Sequence, residues 1–339
     1  MTISRELFER AVAAAVRAPS LHNTQPWRFR WEPDRIEVRA DGDRRLPVTD
    51  PTGWGVRLAV GAATYNLCLA ATVGGCPLDV AWLPASDRPD LHAVLTPGVP
   101  RPATPVEHRL LRAVPVRSSN RRPFRPEPVP LAVRAELTAA ARAEGAWLEL
   151  VTGTVPVAAV AEIANAANRV LCRDPAYLEE LRSWTRGAAM SPGTSPDAAD
   201  DGVPASAGGP ATEPQDLFPV RPFGERPRAP GKDYEAEPLV AVLGTAGNLA
   251  TDQLRAGYAL ERVLLTITDL GLACSMLSQP IEVAAAREQL RVALGRYGTP
   301  QMVLRIGYGD PSQSTPRRAA AVVIDEPAAA PGAPGRPAR

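Results

Sequence analysis

Hydrophobic and polar positions along the chain follow helical and strand periods in turn, which predicts interspersed helices and strands. Apolar residues recur at helical spacing in seven segments and alternate in six shorter ones. The predicted helices lie near residues 5–18, 54–73, 105–114, 130–143, 156–170, 175–186 and 249–269. The predicted strands lie at residues 27–31, 35–40, 78–83, 147–151, 237–243 and 301–307. Pro19 ends the first helix, and Gly74 with Gly75 ends the long one.

Proline and glycine are unevenly distributed between these elements. The chain holds 37 Pro and 26 Gly among 339 residues, a share below the roughly 25–30% typical of disordered proteins. Residues 187–232 alone hold 9 Pro and 7 Gly. This segment is predicted to be either an ordered lid or a disordered insertion. Trp184, Phe218 and Phe223 favour the lid, because they give it apolar side chains with which to dock.

Charge and composition narrow the classes of function. The 38 basic and 37 acidic residues give a formal net charge of +1, which argues against a dedicated nucleic-acid-binding protein. No run of eighteen apolar residues predicts a membrane span. The first residues lack the apolar region of a signal peptide, so a cytoplasmic location is expected. Four cysteines without a CxxC pair and three histidines predict reduced thiols and no zinc site.

The two longest predicted helices resemble each other in sequence. A shift of 196 residues places Gly61 on Gly257, Leu69 on Leu265, Thr72 on Thr268 and Gly75 on Gly271. Each helix ends in glycine and is predicted to lead into a strand. The similarity indicates either two related halves or a chance match between helices rich in alanine and leucine.

A polar loop at residues 19–27 is the first candidate site. Ser20, Asn23 and Gln25 offer neutral donors and acceptors suited to a planar heterocycle, and Trp27 anchors the turn. An ordinary helix-to-strand turn is the alternative. His22 is predicted to be a hydrogen-bonding surface residue, because no carboxylate near it in the sequence would orient it as a general base.

Two arginine-containing segments are the other candidates. In the first, the alternate spacing of Arg117, Ser119 and Arg121 turns three side chains to one side. Two guanidinium groups with a hydroxyl between them suit a phosphate dianion. In the second, Arg317 and Arg318 follow the last predicted strand. Solvated basic surface runs are the alternative for both segments.

Taken together, these segments resemble the FMN-dependent nitroreductase family. Residues 117–129 resemble its R-x-S-x-R-x-F segment followed by PEPV, with one extra residue before the Phe. Residues 18–27 match its A-P-S-x-x-N-x-Q-P-W element, which is fairly specific. Gly307 and Tyr308 followed by two arginines are similar to its C-terminal segment. The resemblance covers most of residues 5–325.

The order of the motifs is similar to that of the Acg-like actinobacterial group, in which the loop precedes the arginine motif. The resemblance implies an α+β nitroreductase-like fold, with two similar halves forming an intramolecular pseudo-dimer and a Pro/Gly-rich lid. The expected parts are residues 1–104 as the first half, 105–325 as the second half with the lid at 187–232, and 326–339 as a flexible tail. A monomer is expected.

The resemblance also implies an FMN site shared by the two halves, with no catalytic side chain and no metal. Its expected residues are Arg117, Ser118, Ser119, Arg121, Arg317 and Arg318 towards the phosphate, Pro19, Ser20, Leu21, Asn23 and Gln25 towards the ring and ribityl chain, and Met276, Leu277 and Ser278 near flavin N5. Leu277-Ser278-Gln279 stand where the wider family has Ile-Glu-Gly.

The expected function is an NAD(P)H-dependent two-electron reduction of a small acceptor such as a nitroaromatic, a quinone or a flavin. FMN carries the chemistry and NAD(P)H is the reductant. An alternative is a flavin-storing or stress-related binding protein whose lid closes over FMN and allows little turnover. A third is a pseudo-enzyme without flavin. No nucleic-acid or membrane partner is expected.

Overall fold

The computed structural model describes residues 2–186, 201–210, 212–213, 216–224, 228, 234–235, 237–310, 312 and 314–325. The helices in these ranges are α1 (Arg5–Ala15), α2 (Trp54–Val73), α3 (Pro105–Ala113), α4 (Leu131–Ala143), α5 (Thr154–Cys172), α6 (Pro175–Ser183), α7 (Ala250–Asp269), α8 (Gln279–Glu282) and α9 (Ala284–Ala293). The tail predicted at 326–339 and residues 187–200 of the predicted lid lie outside the described residues.

The first sheet is built from the N-terminal part of the chain. Its strands are β1 (Trp27–Glu32), β2 (Arg35–Ala40), β3 (Leu78–Trp82) and β4 (Leu91–Pro97). These strands pair antiparallel in the order β1-β2-β4-β3. Helices α1 and α2 cover one face, where Phe8, Trp27 and Phe29 are fully buried. The α+β class expected from the resemblance is confirmed.

The second sheet carries the C-terminal half of the core. Its strands are β5 (Trp147–Val151), β8 (Leu239–Thr245), β9 (Ala273–Leu277) and β10 (Thr299–Gly307), ordered β5-β8-β10-β9 and antiparallel throughout. Every residue of β8 is buried, which a central strand with both faces covered requires. Two short strands, β6 (Thr185–Arg186) and β7 (Val203–Pro204), pair in parallel beside this sheet's helices.

The sequence pattern missed six elements and misplaced the ends of two helices. Strand β4 is internal in its sheet and its residues are mostly buried, so it lacks the alternation that marks a half-exposed strand. The other five are α8, α9, β6, β7 and a two-residue strand at Ile324–Asp325, and all of them except α9 span only two to four residues. Strand β9 lies where a strand was predicted after Gly271. The helix predicted over residues 5–18 ends at Ala15. The helix predicted to reach residue 186 ends at Ser183, because the next residues form β6.

The last strand connects the two halves of the molecule. Strand β11 (Ile324–Asp325) returns from the C-terminal part and pairs in parallel with β1. Asp325 accepts a hydrogen bond of 2.5 Å from Arg28 of β1. The second half of the chain therefore contributes a strand to the first half's sheet, and the boundary predicted at residues 104/105 stays a prediction.

Helices α2 and α7 cross at two glycines, and this contact gives the sequence similarity a physical meaning. A Cβ on Gly61 would lie 2.0 Å from the carbonyl oxygen of Leu254, and a Cβ on Gly257 would lie 2.0 Å from that of Leu58. The shift of 196 residues carries Leu58 onto Leu254 and Gly61 onto Gly257. Exchanging the helices thus converts one contact into the other, as across the two-fold axis of a homodimer. The chain folds as a pseudo-dimer.

Polar contacts reinforce the same helix pair. Arg57 Nε donates to Gln253 Oε1 over 2.6 Å, and Asn66 Nδ2 donates to the fully buried Glu261 Oε1 over 2.9 Å. Buried polar groups must be paired to be tolerated. The interface between the halves is therefore specific in register as well as close-packed.

Two helices are long and apolar enough to cross a membrane by length and composition alone. Helix α2 satisfies the criterion, but 78% of its apolar stretch is buried inside the protein, as is typical of a core helix. Helix α5 satisfies it more weakly; it contacts α8 and α9 and buries one stripe, Val157, Val160, Ala161, Ala164 and Ala167.

Gly257→Ala is expected to lower the free energy of unfolding by about 3 kcal/mol, because an extra methyl group at a close backbone contact forces the helices apart. Gly61→Ala should cost about the same amount, since its environment is equivalent. Urea unfolding followed by circular dichroism measures both. Gly42→Ala is the control, because no atom lies within 4 Å of the added Cβ. Equal stability of the Gly257 and Gly42 variants would contradict the close crossing.

Candidate functional site: a two-part pocket between the halves

The loop at residues 19–26 is held in an unusual backbone conformation. His22, Asn23 and Gln25 have positive φ angles of 49°, 57° and 53°. Non-glycine residues adopt this region at an energetic cost and do so most often at functional sites. The N–H of Gln25 donates to Ser20 Oγ over 2.9 Å. The strain indicates that the loop's shape matters to the pocket it borders.

Side chains of the loop also tie distant segments together. Asn23 Nδ2 donates to the carbonyl oxygens of Gly202 and Pro316, and its Oδ1 accepts from Arg317 Nη1 over 2.8 Å. Gln25 is fully buried, and its Oε1 accepts from the backbone N–H of Arg318 over 2.8 Å. The C-terminal segment is therefore fixed against the first half by the loop.

A pocket rich in arginine lies between this loop and the second half. We call it the arginine pocket; it is lined by Arg17, Pro19, Ser20, Asn23, Arg117, Ser118, Ser119, Arg121, Val203, Met276, Ser314, Thr315 and Arg317. Nine of the fourteen residues predicted for the site are among these. The two predicted segments and the C-terminal arginine, far apart in sequence, thus meet in one place.

The positive charge of the arginine pocket is not balanced by protein carboxylates. Within the described part of the chain, its four arginines have one ion-pair partner, Glu261, whose Oε1 lies 3.6 Å from Arg117 Nε. Burial, together with Arg117 and Arg17, lowers the pKa of Arg317 to about 9. Burial and Arg221 lower the pKa of Arg121 to about 10. Such shifts arise where cations are crowded, so the pocket suits a bound dianion.

Arg117 has a guanidinium that the protein satisfies only in part. Its buried Nε lies 3.6 Å from Glu261 Oε1 and makes no hydrogen bond within the described residues, whereas its Nη2 donates to the carbonyl oxygen of Arg17 over 3.2 Å. The guanidinium therefore keeps donors for a further acceptor. A phosphate group would accept from this guanidinium and from the hydroxyls around it.

A second, mostly apolar pocket lies beside the first. We call it the ring pocket; its empty volume is about 710 Å³ with its open mouth included, and its lining residues are Pro19, Ser20, Leu21, His22, Gly55, Leu58, Ala59, Arg121, Val220, Arg221, Phe223, Leu260, Ser275, Met276, Leu277, Ser278, Gln279 and Met302. It shares Pro19, Ser20, Arg121 and Met276 with the arginine pocket. Helix α2 forms one wall and strand β9 another, so both halves of the chain build it.

Two predicted residues border neither pocket. Gln25 holds the C-terminal segment, as described above, and the guanidinium of Arg318 lies 3.9 Å from Asp41. Leu21, Leu277 and Ser278 border the ring pocket only. The structure brings the loop and the arginine segments together, and the contact of the predicted residues with a ligand stays a prediction.

Residues 201–210 and 216–224, which we call the covering segment, close part of both pockets. Arg221 donates to Ser278 Oγ over 3.1 Å, to Glu282 Oε1 over 2.5 Å and to His22 Nε2. Phe223 lies under the guanidinium of Arg121 at 4.8 Å and packs edge-on against His22. The side chains of Arg221 and Glu282 are 7% and 0% exposed, so they form a buried ion pair.

Sequence reasoning missed several of these residues. Arg221 lies in the proline-rich segment, where no local pattern marks it. Arg17, Ser314 and Thr315 join the arginine pocket only through the fold. His22 is 4% exposed, so its prediction as a surface residue is wrong. The imidazole is buried because the covering segment packs over it.

No family model matches the chain, but curated relatives match nearly all of it. The chain is 34% identical to "Putative NAD(P)H nitroreductase Rv3131" of Mycobacterium tuberculosis, over 95% of this chain and 92% of the relative. It is 30% identical to "Putative NAD(P)H nitroreductase acg" of the same organism, over 93% and 94% of the two chains.

Solved structures also resemble the chain. The FMN- and NADPH-dependent nitroreductase NfnB of a Sphigopyxis strain is 20% identical, with a TM-score of 0.40 over 65% of this chain and 99% of that one. A Bacteroides fragilis nitroreductase with bound FMN is 13% identical, with a TM-score of 0.36 over 68% and 98%.

The protein is thus a fused pseudo-dimer with a two-part pocket between its halves. By its similarity to the mycobacterial relatives along their whole length, the chain belongs to the NAD(P)H nitroreductase family.

The buried histidine predicts a pH dependence of stability. Burial, Arg221 and Arg121 hold the pKa of His22 well below its ordinary value near 6.5. Below about pH 6.5 the unfolded chain therefore binds a proton that the folded protein does not, and stability falls by up to about 1.4 kcal/mol per pH unit. His22→Asn should remove the contribution of His22 to the dependence of the free energy of unfolding on pH, as measured by urea unfolding between pH 7 and 5. The exposed His108, changed to Asn, is the control; identical slopes for both variants would refute the assignment.

Proposed function

We propose that the protein binds FMN and uses it in an NAD(P)H-dependent two-electron reduction of a small acceptor. The observation that carries the proposal is that the two pockets adjoin and share four lining residues. A site suited to a dianion lies next to a largely apolar cavity with a few polar groups, which is the pattern of a phosphate-bearing aromatic cofactor. Membership of the nitroreductase family agrees with this ligand.

The residues present fit FMN at both ends. Arg17, Arg117, Arg121 and Arg317 would hold the phosphate, with Ser118 and Ser119 adding hydroxyls. Arg117, whose guanidinium has one hydrogen bond and one ion pair within the described residues, would gain a further acceptor. The ring would lie among Leu21, Leu58, Leu277 and Met302, where apolar contact favours a flat aromatic system.

Bound FMN would supply the hydride chemistry, and the chain's own residues would supply position and charge. The guanidinium cluster would fix one end of the cofactor, and the wall formed by α2 and β9 would fix the other. Val220 and Phe223 of the covering segment would keep water away from the ring pocket. Because the lining of the ring pocket is largely apolar, it would favour flat, uncharged acceptors such as nitroaromatics and quinones.

A second candidate, flavin storage with little turnover, is favoured by the covering segment. Arg221 is fixed by three partners at the wall of the ring pocket, and Glu282 neutralises it in a buried pair. A nicotinamide could reach the ring only if this contact opened. Breaking one partner of a buried pair costs several kcal/mol, so opening would be slow.

Location and assembly belong to the same proposal. We infer a cytoplasmic monomer, since the pseudo-dimer already places both halves of the pocket in one chain. No step of the proposed function needs a second copy.

Arg317→Gln is expected to weaken FMN binding roughly 10- to 100-fold, because a charge-assisted hydrogen bond is worth about 1.5–3 kcal/mol. Riboflavin, which lacks the phosphate, should bind the variant and the wild type alike. Quenching of flavin fluorescence measures both affinities. Arg125→Gln is the control, since this exposed arginine pairs with Asp310 outside both pockets. Equal FMN affinity in the Arg317 and Arg125 variants would place the phosphate elsewhere.

NADH or NADPH should bleach the flavin of the purified protein under anaerobic conditions, and failure of both would reject the reductase proposal.

The flavin of the double variant Arg221→Met/Glu282→Gln should bleach at least roughly tenfold faster, because the variant removes the ion pair that holds the covering segment without leaving a buried charge unpaired. Stopped-flow absorbance gives the rates. Arg296→Met removes an exposed ion pair with Glu149 and serves as the control. If wild type and double variant reduce equally fast, the covering segment does not restrict turnover.

A further inference from the structure

His22 has an environment that none of the proposed roles explains. Its side chain is almost fully buried in the wall of the ring pocket, on a residue with left-handed backbone. The chain's other histidines differ: His92 contacts the carbonyl oxygen of Asp90, and His108 is exposed. His22 alone borders the pocket.

The partner of His22 fixes the position of its proton. Arg221 Nη1 contacts His22 Nε2, and a guanidinium can only donate. Nε2 must therefore accept, and a neutral imidazole that accepts at Nε2 carries its hydrogen on Nδ1. The nearby charges of Arg221 and Arg121 oppose a second proton on the ring. His22 is thus a neutral imidazole with Nδ1–H as its donor.

That donor has no acceptor within the described residues. Nδ1 of His22 is buried and makes no hydrogen bond. An unsatisfied buried donor costs about 1–3 kcal/mol, and such atoms in folded proteins call for an explanation. The strained φ of 49° adds to the cost of holding the imidazole here. Of the two pockets described above, His22 borders the ring pocket.

We propose that His22 is a specificity-determining residue of the ring pocket: its Nδ1–H donates a hydrogen bond to an acceptor atom, a carbonyl oxygen or an unprotonated nitrogen, on the heterocycle bound there. The inference rests on the proposed function, in which this heterocycle is the flavin ring. It adds that Arg221 of the covering segment selects the tautomer that can make this bond. A ring without an acceptor at that position would leave the donor unsatisfied and bind more weakly.

Nuclear magnetic resonance of the ¹⁵N-labelled full chain tests the tautomer directly. Three histidines give a simple spectrum, and His22→Asn identifies the His22 signals by their loss. We expect the Nδ1–H form at pH 7, and a change in the Nδ1 resonance when riboflavin is added but not when inorganic phosphate is added. An Nε2–H tautomer, or an Nδ1 signal that saturating riboflavin leaves unchanged, would overturn the inference.

Two matched variants test the donor by affinity. The side-chain amide of Asn reaches the position of Nδ1, whereas that of Gln reaches the position of Nε2. Both residue types tolerate the backbone, since Asn23 and Gln25 already adopt it in this loop. We expect His22→Asn to bind riboflavin within about threefold of wild type and His22→Gln to bind roughly tenfold more weakly, the worth of one hydrogen bond.

The relative affinities of the two variants distinguish a wrong role for His22 from a wrong FMN proposal. If His22→Gln is the tolerated variant and His22→Asn the weak one, the bond to Arg221 matters and the donor role is wrong. Equal affinities for both variants and wild type would also reject it, while leaving the FMN proposal intact. If wild type binds neither FMN nor riboflavin, the proposed function fails together with the inference. Melting temperatures of both variants show that they are folded.

Discussion

The crossing of helices α2 and α7 places the backbones of the two halves in contact, and the position of the pocket follows from it. Gly61 and Gly257 let each helix approach the carbonyl oxygens of the other. The pocket walls are residues of these same helices, with Gly55 and Leu58 on α2 and Leu260 on α7. A side chain at either glycine would separate the helices and move the two walls apart. The site therefore depends on an interface rather than on either half alone.

In the arginine pocket, a residue of this interface partly neutralises the buried positive charge of the arginines. Glu261 lies on α7, fully buried, between Asn66 of α2 and Arg117. Burial raises the pKa of this carboxyl, while Arg117 and Asn66 oppose the rise. One carboxylate among four guanidiniums leaves the site positive, and the remaining charge favours binding of an anion over an empty pocket. Removing Glu261 would leave more positive charge but would also free Arg117 from its fixed position.

The sequence predicted the components of the site better than their contacts. The spacing of Arg117, Ser119 and Arg121 and the loop before Trp27 could be read locally, because each motif is contiguous. The similarity of the two halves was visible in the sequence as a repeat. Only the contact between Gly61 and Leu254 shows that the two similar helices pack against each other. Strand β4 was missed because its burial on both faces removes the alternation on which prediction depends. No local pattern marks Arg221, since its role arises from residues 57 to 199 positions away.

The burial of His22 illustrates why polar contacts of this kind lie beyond local patterns. In the sequence a histidine in a polar loop resembles a solvated residue, and its surroundings are decided by a segment about 200 positions later. That segment buries the imidazole and supplies the donor that fixes its tautomer, and among the described residues the other nitrogen has no hydrogen-bond partner. A polar group that is both strained and unsatisfied is costly to keep. If a bound molecule accepts from this nitrogen, the cost is offset, and the covering segment and the ring pocket then act as one functional unit rather than as a site with a cover.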